Sequence, residues 1–139
     1  MFTGRFERLL DNKGRIVVPP PLRRHLPDHC FVGAPANERC VQIFTPAQVE
    51  EVTDRLETAV RDGSLSPTAL RVWSSSVVES RIDAQSRLPI PQALRDQVGL
   101  DREVVMIGAV KRIELWPPDA WADEQRRAHE EPVDMARWI

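Results

Sequence analysis

A stretch near the N-terminus of this chain comes back 72 positions later with its chemistry preserved. Asp11-Asn12-Lys13-Gly14-Arg15-Ile16-Val17-Val18-Pro19, followed by Leu22-Arg23, returns as Asp83-Ala84-Gln85-Ser86-Arg87-Leu88-Pro89-Ile90-Pro91, followed by Leu94-Arg95. The same offset carries Val41-Gln42-Ile43-Phe44-Thr45-Pro46 onto Ile113-Glu114-Leu115-Trp116-Pro117-Pro118. Between these anchors Phe31-Val32-Gly33 matches Met106-Ile107-Gly108 at an offset of 75, so small insertions compensate one another. Two copies of one supersecondary unit follow, neither able to bury its apolar face alone.

Each copy reads as strand, turn, strand, short helix and hairpin, an α+β pattern dominated by β. Residues 6–10 and 77–82 are β-compatible runs ending on the repeat aspartate. Gly14 suits a turn that needs positive φ. Strands restart at 16–18 and 88–90 and stop at a proline. Short helices are expected over 21–26 and 92–98, hairpins over 30–44 and 104–116, and longer helices over 47–61, 68–75 and 119–128. Val49, Val52, Leu56 and Val60 form an amphipathic stripe on the first long helix. The boundaries are residues 5–47 for the first module, 48–75 for a helical linker, 76–119 for the second module and 120–139 for a C-terminal helix and tail. The tail is expected to fray except at Trp138. The second module's core is expected to rest on Val78, Leu88, Ile90, Leu94, Ile107, Ile113 and Leu115.

The chain's 139 residues suit one compact domain or two interlocked halves of about 50 residues. The longest apolar stretch, 104–110, is far short of the ~20 residues a membrane span needs. Arg5, Glu7, Arg8 and Asp11 interrupt any signal-peptide core, and two cysteines make no disulfide framework, which fits a reducing cytoplasm. No membrane partner is expected.

Net charge is −2, which on its own argues against nucleic acid, yet the charge is unevenly distributed. Residues 1–26 hold Arg5, Arg8, Lys13, Arg15, Arg23 and Arg24 against Glu7 and Asp11 only, a local balance of +4. A basic face attracts phosphate whatever the total charge. Arg15 is the strongest candidate for base contact, because a guanidinium grips guanine O6 and N7 bidentately. Lys13 and Arg8 suit phosphate, and the alternative for Arg15 is a plain ion pair with Asp11. Asp11 and Asp83 repel DNA and are better suited to accepting turn N–H groups or orienting the arginine, with Gly14 completing the turn. In the second copy Gln85 and Ser86 replace Lys13 and Gly14. A left-handed conformation costs a non-glycine residue about 1 kcal/mol, so the second turn is expected to have changed shape, lost DNA contact, or both. That leaves Arg87 and Arg81 as secondary contacts.

Other chemistry is weakly encoded. His25, His29, Cys30 and Cys40 lack the close ligand pairs of a structural zinc site. No Gly-rich phosphate loop, nucleophile context or carboxylate constellation points to an enzyme, a cofactor or a small-molecule substrate. Trp73, Trp116, Trp121 and Trp138 fit core or subunit-interface packing better than base stacking.

The Asp-x-x-x-Arg element followed by β-residues, proline and Leu-Arg resembles the AbrB/SpoVT family of DNA-binding modules. Two such elements in one short chain, with Met1-Phe2 before the first, are similar to the MraZ family of bacterial transcriptional regulators. The resemblance implies two swapped-hairpin modules forming one pseudo-two-fold, double-psi-like barrel with flanking helices. It also implies a ring-like homo-oligomer on double-stranded DNA, binding repeated promoter elements of the division and cell wall gene cluster, in the nucleoid. It places further DNA-contacting arginines at Arg23 and Arg24. A protein–protein interaction module of the same fold, with an acidic partner at the basic N-terminus, is the competing expectation.

Overall fold

The computed structural model describes residues 1–35, 38–131 and 133–139. The first repeat supplies β1 (Arg5–Leu9), β2 (Arg15–Val17), α1 (Pro20–Arg23), β3 (His29–Gly33), β4 (Val41–Phe44) and α2 (Pro46–Arg61). After α3 (Pro67–Ser76), the second supplies β5 (Val78–Arg81), β6 (Arg87–Pro89), α4 (Gln92–Val98), β7 (Glu103–Gly108), β8 (Ile113–Trp116) and α5 (Pro118–Glu130).

Local chemistry sets the helix ends. Thr45 Oγ1 accepts from the Gln48 N–H at 3.2 Å and Ser66 Oγ from the Ala69 N–H at 3.1 Å, each followed by a proline in the first turn. The side chains cap free N–H groups, and each proline stands in the first turn, where a missing backbone donor costs nothing. Pro20 and Pro21 open α1 for the same reason. Gly99, at φ +71°, ends α4 in a left-handed cap.

The repeats share their strands. Among the described residues only the hairpins β3–β4 and β7–β8 pair within one repeat. β1 pairs antiparallel with β7, β5 with β3, β4 with β8, and β2 with β6, all across the repeat boundary. The result is a six-stranded antiparallel sheet in the order β1-β7-β8-β4-β3-β5 and a separate two-stranded ribbon, β2–β6. The closed double-psi-like barrel expected from the sequence is therefore not what forms. The ribbon touches β1 and β5, but among the described residues no ladder joins it to either edge, so the sheet stays open. Arg5, Glu7 and Arg8 on β1, and Glu79 and Arg81 on β5, put charge on the two edges, which discourages edge-to-edge aggregation.

The main core lies between one face of the sheet and a layer made of the ribbon, α1 and α4. Ile16 and Leu88, paired in register at the ribbon centre, are both 0% exposed and meet Val32, Ile43, Met106 and Leu115. Leu22 of α1 and Leu94 of α4 join the same cluster. On the opposite sheet face α5 packs against β7, burying Val105, Trp116 and Ala120, with Trp121 edge-on to Trp116 at 5.6 Å.

Two expected core members fall outside that cluster. Val78 starts an edge strand and stays 40% exposed, because no strand covers its free side. Ile107 points to the α5 face, where it is only partly covered. The tail forms a 3-10 turn at Met135–Arg137, but Trp138 is 74% exposed and anchors nothing. Cys30 sits in the main core and Cys40 in the α5 cluster, so the two thiols lie on opposite sheet faces. Burial pushes the Cys30 thiol up to about 11 and raises Cys40 as well, leaving both protonated and inert at neutral pH.

Candidate nucleic-acid interface

The ribbon's outward face is built by antiparallel register. Arg15 opposes Pro89, Ile16 opposes Leu88, and Val17 opposes Arg87. Side chains alternate along a strand, and directly opposed residues share a face. Ile16 and Leu88 therefore point into the core, while Arg15, Val17, Arg87 and Pro89 point out. The register is symmetric about the Ile16–Leu88 pair, so the two repeat arginines lie diagonally across one small surface.

Each arginine is held by its own aspartate. Asp11 Oδ1 accepts the backbone N–H groups of Lys13 and Arg15, both at 2.9 Å, and Oδ2 accepts Arg15 Nε at 2.8 Å. Asp83 repeats this with Gln85 and Arg87: two backbone N–H groups at 2.9 Å and Nε at 2.7 Å. The Arg15 backbone N–H, its guanidinium and the Lys13 N–H together hold the Asp11 carboxyl below the usual carboxylate range despite some desolvation. Arg87 and Gln85 do the same for Asp83. Both aspartates are therefore anions at neutral pH. The pairing engages only Nε, and among the described residues the Nη1 and Nη2 donors of Arg15 and Arg87 have no hydrogen-bond partner. That outer edge is the fork that grips two acceptors side by side. The ion pair and an outward-facing fork thus coexist on the same side chain.

The second turn has not changed shape, contrary to the expectation from its serine. Gly14 has φ +72° and Ser86 φ +61°, and both turns close with the same 3.0 Å bond to the aspartate carbonyl. Gly14 C=O accepts from the Ile90 N–H and Ser86 C=O from the Val18 N–H, both at 2.9 Å, tying each turn to the other repeat's strand. A second feature favours glycine in the first turn. The Arg95 guanidinium lies against it, with Nη2 only 2.7 Å from where a Cβ would stand. Arg95 Nε is anchored on Ile90 C=O at 3.0 Å. Its counterpart Arg23 donates to Leu26 C=O and pairs with Asp28, so the equivalent guanidinium of the first repeat is engaged elsewhere.

The six N-terminal cations are not one patch. Arg15 and Lys13 belong to the ribbon and its turn. Arg8 lies on the ribbon's side of β1, 5.7 Å from the Phe6 ring centre, and donates to Glu7 C=O at 2.8 Å. Arg5 on β1 and Arg81 on β5 project from the other sheet face, as their partners Ile107 and His29 show. Arg23 is engaged with Asp28, and Arg24 is exposed at the end of α1. Arg87 and Arg95 therefore stand nearer Arg15 than the sequence cluster suggested. For Arg95 the available signal was its equivalence to Arg23; what was hidden was that the repeats interleave.

Among the described residues no group of three His, Cys, Asp or Glu side chains could hold a metal, and no helix is long and apolar enough to cross a membrane.

The model of the family described as MraZ protein, antitoxin-like, matches residues 1–64 and 75–137, one match on each repeat. The chain is 38% identical over 130 residues to the Transcriptional regulator MraZ of Clavibacter michiganensis subsp. michiganensis, covering 94% of this chain and 90% of that relative. It is 36% identical over 121 residues to the protein of the same name from Paenarthrobacter aurescens, covering 87% and 84%. With that of Natranaerobius thermophilus it shares 30% identity over 139 residues, covering 100% and 96%. A duplicated Asp-x-x-x-Arg turn, strands exchanged between the two copies and relatives matched over nearly their full length agree: this chain belongs to the MraZ family.

Proposed function

We propose that this protein is a transcriptional regulator that binds double-stranded DNA in a sequence-specific manner through the outward face of the β2–β6 ribbon, and that it is not an enzyme. The observation that carries this reading is the pair of aspartate-held arginines on one ribbon face, each presenting an unoccupied Nη edge. A two-stranded β-ribbon fits the major groove, where guanine O6 and N7 meet such an edge. Lys13 on the first turn and Arg8 on the neighbouring strand act on phosphate, while Arg5, Arg24 and Arg81 add only long-range field. Asp11 and Asp83 repel phosphate but fix where the guanidinium points. Arg87 enters this reading beside Arg15, because the second turn keeps the first turn's backbone.

The repeated promoter elements of the division and cell wall gene cluster are the proposed targets, with the protein in the cytoplasm at the nucleoid. One ribbon makes few contacts, so copies acting together on spaced elements raise the effective concentration without new chemistry. Exposed Val133, Met135 and Trp138 are apolar surface of the kind that self-association covers, in line with a ring-like homo-oligomer.

Fluorescence anisotropy with duplex DNA from upstream of the protein's own gene tests the reading. Salt-dependent binding that Arg15→Ala weakens by roughly 10- to 100-fold, with folding intact, is the expected result. A folded protein that ignores this DNA, or an Arg15→Ala variant that binds it unchanged, removes the assignment and returns the face to an acidic protein partner.

A further inference from the structure

Between the two arginines the ribbon exposes an aliphatic side chain that neither the core nor a phosphate contact explains. Val17 is 46% exposed, two residues from Arg15 on the same strand and directly opposite Arg87. Its face is thus flanked on both sides by guanidinium groups. The strand rise puts Arg15 and Arg87 about 7 Å apart along the ribbon and about 5 Å across it. That spans about two to three base pairs at ~3.4 Å per step. An isopropyl group in that interval offers no hydrogen bond to a base edge. The one apolar group that a base pair presents in the major groove is the C5 methyl of thymine.

We infer that Val17 is a specificity-determining residue that reads a thymine C5 methyl within the span set by Arg15 and Arg87. This rests on the duplex-DNA reading above and adds to it a base that the arginines do not recognise. Pro89, related to Val17 by the ribbon's pseudo-two-fold symmetry and lying opposite Arg15, is the second apolar wing of the same face. The bound element therefore combines guanines gripped through O6 and N7 with at least one thymine gripped only through its methyl.

The test uses the full chain and a duplex enriched by it from random-sequence DNA. Each thymine of the enriched element is replaced in turn by deoxyuridine, which deletes the C5 methyl and leaves every hydrogen-bonding group in place. One replacement between the arginine-read guanines should weaken binding about three- to fivefold, the cost of uncovering roughly one methyl. Val17→Ser should bind more weakly and make thymine and deoxyuridine equivalent at that position, whereas Val17→Thr, which keeps one methyl, should retain part of the preference. Thermal unfolding of both variants checks that the ribbon persists. Indifference to every deoxyuridine, an element with no thymine in the span, or a Val17→Ser protein with an undiminished preference each overturns the inference. Failure to enrich any duplex overturns the DNA reading itself, so the two failures are told apart.

Discussion

The turn at Asp11–Arg15 and the turn at Asp83–Arg87 share one backbone but differ in how that backbone is secured. Both place a residue in left-handed space and both hold an arginine through Nε. The first does so with glycine, under the Arg95 guanidinium and beside Lys13. The second does so with serine, beside the neutral Gln85, while Arg23 is occupied by Asp28. Four bonds converging on one aspartate outweigh a left-handed cost of about 1–2 kcal/mol. The aspartate is thus the feature the two turns share, and glycine in the first turn also spares the Arg95 guanidinium a shift.

The largest test concerns what the turns share. Leu88→Ala and Ile16→Ala should each destabilise by about 2–5 kcal/mol in denaturant unfolding, since both side chains are wholly buried and face each other. The double variant should cost measurably less than the two losses added, because the neighbours share one cavity. Additive losses would mean that the two repeats support the ribbon independently.

Next comes the functional comparison. Arg15→Ala and Arg87→Ala should each cost about 1–3 kcal/mol of specific DNA affinity, the Arg15 change costing more because Lys13 stands beside it. Unchanged affinity for folded Arg87→Ala would leave the second turn a structural echo. Backbone strain separates the turns in the opposite direction. Gly14→Ala should destabilise by about 1–2 kcal/mol and displace Arg95, whereas Ser86→Gly should change stability by less than about 1 kcal/mol, strain relief being offset by a more flexible unfolded chain. Equal effects from the two, measured by thermal unfolding, would contradict the role given to Arg95.

Lys13→Gln makes the first turn resemble the second and should flatten the slope of log affinity against log salt by about one unit, with base preference kept. The smallest effect is in pH. Both aspartates have folded pKa values below their unfolded ones, so their contribution is complete above ~3.9 and is lost only as pH falls through the lowered values. Unfolding stability followed between pH 5 and pH 8 should therefore show no step from either turn.

Much of this was legible from residue patterns, because turns and helix ends are written locally. The helix at Gln92–Val98 and the strand Ile113–Trp116 fall where their proline, glycine and apolar spacing put them. What could not be read was partnership. Alternation along β1 shows that one face is buried, yet nothing in Arg5–Leu9 names Glu103–Gly108 as its neighbour. Arg95 reads as an ordinary cation on a short helix until the exchange of strands lays it on Gly14. The engagement of Arg23 has a nearer cause, since Asp28, five residues on, pairs with it. Val78 has a core-like sequence but a position at the rim of an open sheet.

The strand exchange also sets a timetable for synthesis. β1 is made before the strand it pairs with, β7, which lies about 100 residues downstream. At roughly 5–20 residues per second, β1 must wait on the order of 5–20 s with its backbone hydrogen-bonded to water in place of a partner strand. β2 waits for β6 and β3 for β5 in the same way. The nascent first half has only its β3–β4 hairpin and helices to lean on, and closing loops this long makes folding slow compared with a locally paired chain of equal size. A chain in which β7 has not yet been made therefore cannot complete the six-stranded sheet, and the fold closes only after both repeats have been synthesised.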